Sequence, residues 1–147
     1  MKKLKIHFIC RANIYRSRLA EGYFKKLTGD KYIVSSSGIE RWRHPFNYKD
    51  RWATMLAKEH GFRLSEKSRQ SSSHLFAQQD ILIFARQDVF DGACHKYHFD
   101  KKKAIIWDIR DRRDYPFLTK RQVRREETWK AIDYSVKTLI KMLEKEV

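Results

Sequence analysis

Cysteine, glycine and proline are all scarce in these 147 residues, at 2, 5 and 2 copies. Two cysteines are too few for a disulfide framework or a four-ligand structural zinc site, which makes a reducing cytoplasm the expected compartment. So little Gly and Pro argues against disorder, a collagen-like repeat or a loop-rich scaffold. No apolar run nears the roughly 20 residues of a membrane span. Met1–Lys5 is basic, but Ile6–Cys10 is too short for the apolar core of a signal peptide. Repeats, low-complexity tracts and linkers are missing too, so a single domain over residues 1–147 is expected. Acidic side chains also run short, at 18 against 33 basic, for a net charge of +15. The surplus is uneven: residues 1–30 hold 8 basic and 2 acidic side chains, residues 101–130 hold 11 and 5. Such a balance predicts an anionic partner. Nucleic acid is disfavoured as that partner, because charge is present without any nucleic-acid motif.

What is present is a chain that can build a core, with 9 Phe, 7 Tyr and 4 Trp among 41% hydrophobic residues. Lys5–Cys10 reads as a short buried strand, followed by a polar loop. Ser17 is placed to cap a helix with Leu19, Ala20, Tyr23, Phe24 and Leu27 on one face, closed by Gly29. Tyr32–Ser36 is a second strand, Lys49–His60 a helix stopped by Gly61, and Asp80–Phe84 a strand apolar enough to be buried on both faces. Ala104–Trp107 is a fourth strand, and a last helix runs from about Val123 to Glu146. Strands alternating with helices predict an α/β three-layer sandwich: a central four-stranded, mostly parallel sheet with helices on both faces. Ligands of such sheets bind at the carboxyl ends of strands, before helix N-termini, which singles out the loops after the first and last strands.

The first of these loops reads Cys10-Arg11-Ala12-Asn13-Ile14-Tyr15-Arg16-Ser17. Cys10 ends the strand, so its sulfur is expected at the mouth of the loop. Backbone N–H groups of residues 11–17 and the helix start form an anion site, which favours thiolate over thiol. Arg16 is spaced to grip two oxygens of a phosphate in a fork, and Ser17 to donate a hydrogen bond to the sulfur. A nucleophilic sulfur facing a cradle for a tetrahedral dianion is what phosphoryl transfer to cysteine requires.

Cys10 through Ser17 resembles the Cys-x5-Arg-Ser signature of the low-molecular-weight protein tyrosine phosphatases, directly after the first strand as in that family. Leu19-Ala20-Glu21, Val34–Gly38, Gly61–Ser65, Ser68-Arg69-Gln70 and Asp80–Phe84 extend the likeness over most of the chain, apart from about residues 108–125. The resemblance implies a metal-free and cofactor-free phosphoric monoester hydrolase. In it Cys10 forms a phosphocysteine, while Arg16 and the amides of Arg11, Ala12, Asn13, Ile14, Tyr15, Arg16 and Ser17 hold the phosphate or another oxyanion. The implied substrate is phosphotyrosine in a protein, acidic in view of the basic rim. Ala12 stands where the family usually has Gly, and Arg18 where it has Pro; Asn13 can itself take the left-handed conformation that a phosphate loop needs.

The family's general acid is an Asp in an Asp-Pro pair before the last helix, and here that loop reads Trp107-Asp108-Ile109-Arg110-Asp111-Arg112-Arg113-Asp114-Tyr115-Pro116 with no such pair. Asp108–Asp111 resembles the lead-in to the acid, which makes Asp111 the choice and Asp114 the rival. Flanking arginines hold a carboxylate ionised, so the expected pH optimum is acid-shifted and the rate modest. Trp42 is the expected aromatic wall for an aryl phosphate, with Tyr15 and Tyr115 as further candidates. Two alternatives stay open: a weakly active or inactive phosphate-loop module binding acidic or phosphorylated partners, and arsenate reduction. Arsenate reductases share this fold and loop but need two further cysteines, where this chain has only Cys94. A metal held by Cys94, His95, His98 and Cys10 has no recognised zinc spacing to support it, and a Cys10–Cys94 disulfide stays open, because sequence alone gives no distance between the two sulfurs.

Overall fold

The computed structural model describes residues 2–45 and 47–145, with Arg43 described by its backbone alone. Four strands, β1 (Lys5–Cys10), β2 (Ile33–Gly38), β3 (Ile81–Phe84) and β4 (Ala104–Ile106), form one sheet in the order β2-β1-β3-β4. Every pairing is parallel, with Ile6 opposite Val34 and Ile81, and Ile83 opposite Ile105. The helices are α1 (Arg16–Thr28), α2 (Arg51–Glu59), α3 (Ser73–Ala77), α4 (Gln87–Lys96) and α5 (Arg121–Lys145). The α/β sandwich expected from the order of elements is the fold observed.

Strand alternation sorts the core into two clusters. Ile6, Phe8 and Ile83 meet Leu19, Phe24, Ile132 and Val136 of α1 and α5 on one face. Ile9, Leu82 and Phe84 meet Phe76, Val89 and Ala93 of α3 and α4 on the other. Because side chains alternate along a strand, β1 and β3 are buried on both sides and read as near-continuous apolar runs.

Differences from the sequence reading are local. Strand β2 runs two residues beyond Ser36, to Gly38. The expected end of the last helix at Glu146 lies outside the described residues. Leu27 is 42% exposed rather than on the buried face of α1. Gly29 closes that helix as expected, at φ 66° with its N–H on the Lys25 carbonyl. Helices α3 and α4, which supply the second layer, were not legible.

Candidate active site

The carboxyl end of β1 delivers Cys10 to a cavity of about 360 Å3, lined also by Arg11, Ala12, Ile14, Tyr15, Arg16, His44, Tyr48, Asp50, Asp111, Arg112 and Arg113. Three donors converge on and behind the sulfur. Ser17 Oγ lies 2.9 Å from Cys10 Sγ, and the Asn13 backbone N–H donates to Sγ at 3.3 Å. Asn13 Nδ2 in turn donates to Ser17 Oγ at 2.7 Å, occupying a lone pair of that hydroxyl and leaving its hydrogen for the sulfur. Ser17 therefore does not cap α1, which has no side-chain cap; its hydroxyl is engaged with the sulfur instead.

Asn13 does adopt the left-handed conformation, at φ 58°. Its side chain fixes that geometry, donating to Ser36 Oγ at 2.9 Å and accepting the Arg69 N–H at 2.8 Å. Ser36 passes the chain on to Glu21 Oε1 at 2.5 Å. The loop also rides on the end of β2, where a Cβ on Gly38 would fall 2.6 Å from Ala12 C and Asn13 N. Beneath it, His7 is buried between Ser35 and Ser37, with ring nitrogens 2.6 and 2.7 Å from their hydroxyls. Burial, helped by the Arg69 charge, pulls its pKa down to about 3.

Arg16 is buried beside Cys10 and donates from Nη1 to the Ile109 carbonyl at 2.8 Å. It thereby ties the first loop to the second, two residues before Asp111. Arg11 sends its side chain to Asp88 at 2.6 Å and Glu40 at 3.7 Å, so only its backbone and rim charge face the hollow. The two candidate acids stand differently. Asp111 lines the cavity, 3.6 Å from the Arg113 Nε. Asp114 does not line it: its carboxylate accepts the Asp111 N–H and pairs with Arg86 Nη1, both at 2.8 Å. Partial burial pulls the Asp114 carboxyl upward, but that hydrogen bond and the Arg86 guanidinium outweigh it and hold it below the ordinary carboxylate range.

Of the three expected aromatic walls, Tyr15 lines the cavity and the other two lie elsewhere. Trp42 is 67% exposed and does not line the cavity; the loop after β2 presents His44 and Tyr48 instead, stacked at 4.8 Å. Tyr115 lies 3.5 Å from Thr128 of α5 and under Arg110, also away from the lining. Tyr15 belongs to a cluster whose other members, Arg112, Trp52 and Asp50, spacing did not reveal as wall residues. The Arg112 guanidinium lies 4.4 Å from the centroids of both Tyr15 and Trp52 and pairs with buried Asp50. Asp50 also caps α2 by accepting the Ala53 N–H at 2.9 Å. An Asp two residues before Trp52 is a legible cap signal; its partner 62 residues on is not. Arg18 reaches the carbonyls of Tyr48 and Ser65, bracing the same wall. Cys94 is a free, half-buried thiol on α4, as Cys10 is free in the loop.

Comparison with known proteins gives a consistent lineage. Residues 5–147 match the family model described as low molecular weight phosphotyrosine protein phosphatase. An arsenate reductase of Staphylococcus haemolyticus is 34% identical over 127 residues, 86% of this chain and 92% of that one. The low molecular weight phosphotyrosine protein phosphatase of Sus scrofa is 32% identical over 84 residues, about half of each chain (52% and 51%). Among solved structures, Vibrio vulnificus Wzb in complex with benzylphosphonate superposes with a TM-score of 0.81 at 22% identity, over 96% of this chain and 99% of that one. Escherichia coli K30 tyrosine phosphatase Wzb in complex with sulphate gives 0.80 at 19%, over 97% and 99%.

Proposed function

From a chain that belongs to the low molecular weight phosphotyrosine protein phosphatase family, we propose hydrolysis of aryl phosphate monoesters, phosphotyrosine in proteins above all, through a phosphocysteine. The Cys10 thiolate attacks phosphorus as the bond from phosphorus to the phenolic oxygen breaks. Asp111 gives its proton to the leaving oxygen. Arg16 and the N–H groups of residues 11–17 hold the three equatorial oxygens, where charge gathers in the transition state. Asp111, now a carboxylate, takes a proton from water, which attacks phosphorus, breaks the bond to sulfur and leaves inorganic phosphate. No metal enters the scheme. A reducing cytoplasm keeps the Cys10 thiol available for it.

One observation carries the reading: Cys10, Arg16 and Asp111 line a single cavity, while Asp114 is spent on Arg86. The test is p-nitrophenyl phosphate turnover. Cys10→Ser is expected to abolish it while retaining vanadate binding, Asp111→Asn to lower kcat roughly 100-fold or more, and Asp114→Asn to lower it far less. Unchanged turnover in Cys10→Ser refutes the mechanism, and the reverse order for the two aspartates reassigns the acid.

A second reading has its own support, because a relative 34% identical over most of both chains is named an arsenate reductase. Arsenate is a tetrahedral oxyanion that Cys10 attacks in the same cradle, forming a sulfur–arsenic bond as an arsenic–oxygen bond breaks and its oxygen leaves as water. Reducing it then takes two electrons from two thiols, with a second sulfur attacking Cys10 to form a disulfide as arsenite leaves. Within the chain only Cys94 is available as that sulfur, and thiols from outside must reduce the resulting disulfide before the next turnover. Arsenite release with glutathione or thioredoxin, lost in Cys94→Ser, distinguishes this reading from hydrolysis.

A further inference from the structure

The most exposed large apolar side chains in the described residues are Phe117 and Leu118, at 92% and 89%. They sit side by side in the loop that carries Asp111, between β4 and α5. They are also held there. The Thr119 N–H donates to the Pro116 carbonyl at 2.9 Å, closing a turn with Phe117 and Leu118 at its two corners. Arg124 of α5 braces it from below, donating to the carbonyls of Pro116 and Phe117 at 3.2 and 3.0 Å and to that of Arg112 at 3.3 Å. Such a turn displays the two side chains and keeps them from folding back onto the protein.

Exposed Arg110, Arg113, Lys120 and Arg121 flank the turn on both sides in sequence. Neither side chain lines any of three cavities formed by the described residues. Protein interfaces anchor apolar side chains in complementary pockets within a closed rim, whereas a bilayer accepts a protruding apolar pair with no shape of its own. Basic side chains beside such a pair favour an anionic leaflet, each adding attraction that salt screens. The +15 net charge acts in the same direction. Trp42, 67% exposed in the loop after β2, stands at the same carboxyl end of the sheet.

We propose that the Pro116–Thr119 turn docks this protein onto anionic membrane surfaces, with Phe117 and Leu118 entering the interface and the flanking Arg and Lys side chains meeting lipid headgroups. The cavity mouth, which shares the loop through Asp111, is then brought up to the membrane plane, where phosphorylated groups close to the bilayer come within reach. The docking is independent of what Cys10 does chemically.

Co-sedimentation of the full chain with phosphatidylcholine vesicles, with and without about one-third phosphatidylglycerol, tests this at about 0.1 M salt. Retention is expected on the anionic vesicles, at least tenfold weaker on the neutral ones, and weakened again at higher salt. The Phe117→Ser/Leu118→Ser double variant should bind the anionic vesicles roughly tenfold or more weaker, and Lys120→Gln/Arg121→Gln several-fold weaker. Both variants should keep the wild-type melting temperature and turnover of a soluble substrate, since the altered side chains are exposed and outside the cavity. The proposal is overturned if the serine variant sediments like wild type, or if neutral vesicles bind as well as anionic ones. It is equally overturned if vesicles fail to retain the protein while soluble poly-glutamate retains it through Phe117, which points to an acidic protein partner.

Discussion

Deleting one guanidinium should both destabilise the protein and misplace Asp111, the proposed acid. Arg112 is the wedge between the two halves of the site: its charge lies against the Tyr15 and Trp52 rings and the carboxylate of Asp50, whose side chain is only 2% exposed. Arg112→Met keeps most of the stem and removes the charge, leaving Asp50 with the Ala53 N–H among its partners. Breaking a buried pair from one side costs roughly 3–5 kcal/mol. The Arg112 side chain is 31% exposed, so water recovers part of that, and about 2–3 kcal/mol is expected. For a chain of this length that is a fall of about 5–10 °C in Tm. Because the loop holding Asp111 is anchored through its next residue, kcat should drop roughly tenfold or more with a smaller change in KM. Urea unfolding and p-nitrophenyl phosphate kinetics read the two effects. A double-mutant cycle with Asp50→Asn, which keeps an oxygen to cap α2, should return a coupling of about 1–3 kcal/mol. Additivity of the two substitutions to within about 0.5 kcal/mol would refute the wedge.

Two further substitutions probe the floor of the cradle. Gly38→Ala puts a methyl group 2.6 Å from the backbone of Ala12 and Asn13, so the loop must move, and kcat/KM and vanadate affinity should both fall roughly tenfold to 100-fold; unchanged affinity would mean the loop yields freely. His7 is neutral when folded down to about pH 3, because of burial first and Arg69 second, whereas the unfolded chain protonates it near pH 6.5. Stability from this residue is therefore complete above about pH 6.5 and is lost as pH falls towards 3, at about 1.4 kcal/mol per unit. Urea unfolding at pH 7 and pH 5 should differ by about 2 kcal/mol from His7 alone, and His7→Gln should remove that difference.

What the sequence made legible was local. The short apolar run of Ile6, Phe8 and Ile9 is visible because it is written within four residues, and the left-handed Asn13 because few side chains tolerate that backbone. Ser17 carries two local readings, a helix cap and a donor to the sulfur, and they compete for one hydroxyl. The second prevails, because the curl of the loop brings a sulfur seven residues back within 2.9 Å while α1 has no side-chain cap. Helix α4 was hidden because Gly92 interrupts it and only Val89 and Ala93 are buried, too thin a stripe to register as periodic. Trp42 misled for a related reason: ring size predicts value as a wall, but the direction in which the loop after β2 turns decides that His44 and Tyr48 line the cavity.

The arginine surplus carries the broadest lesson, since composition alone assigns it to an anionic partner. Within the loop from β4 to α5 and its supports, much of it is internal. Arg16 holds the Ile109 carbonyl, Arg86 holds Asp108 and Asp114, Arg112 holds Asp50, and Arg124 holds three carbonyls of the same loop. With no Asp-Pro pair in that loop, this chain surrounds Asp111 with guanidinium contacts from α1, the start of α4, the loop itself and α5. Side chains committed in this way hold the acid loop in place, and the partly buried ones are screened little by salt. The exposed Lys120 and Arg121 are screened strongly. Raising salt should therefore release the protein from an anionic surface well before it disturbs Tm or turnover of a neutral-bodied aryl phosphate. If turnover and surface binding instead fell together along one salt curve, the guanidiniums around Asp111 would have to be reassigned from scaffold to substrate contact.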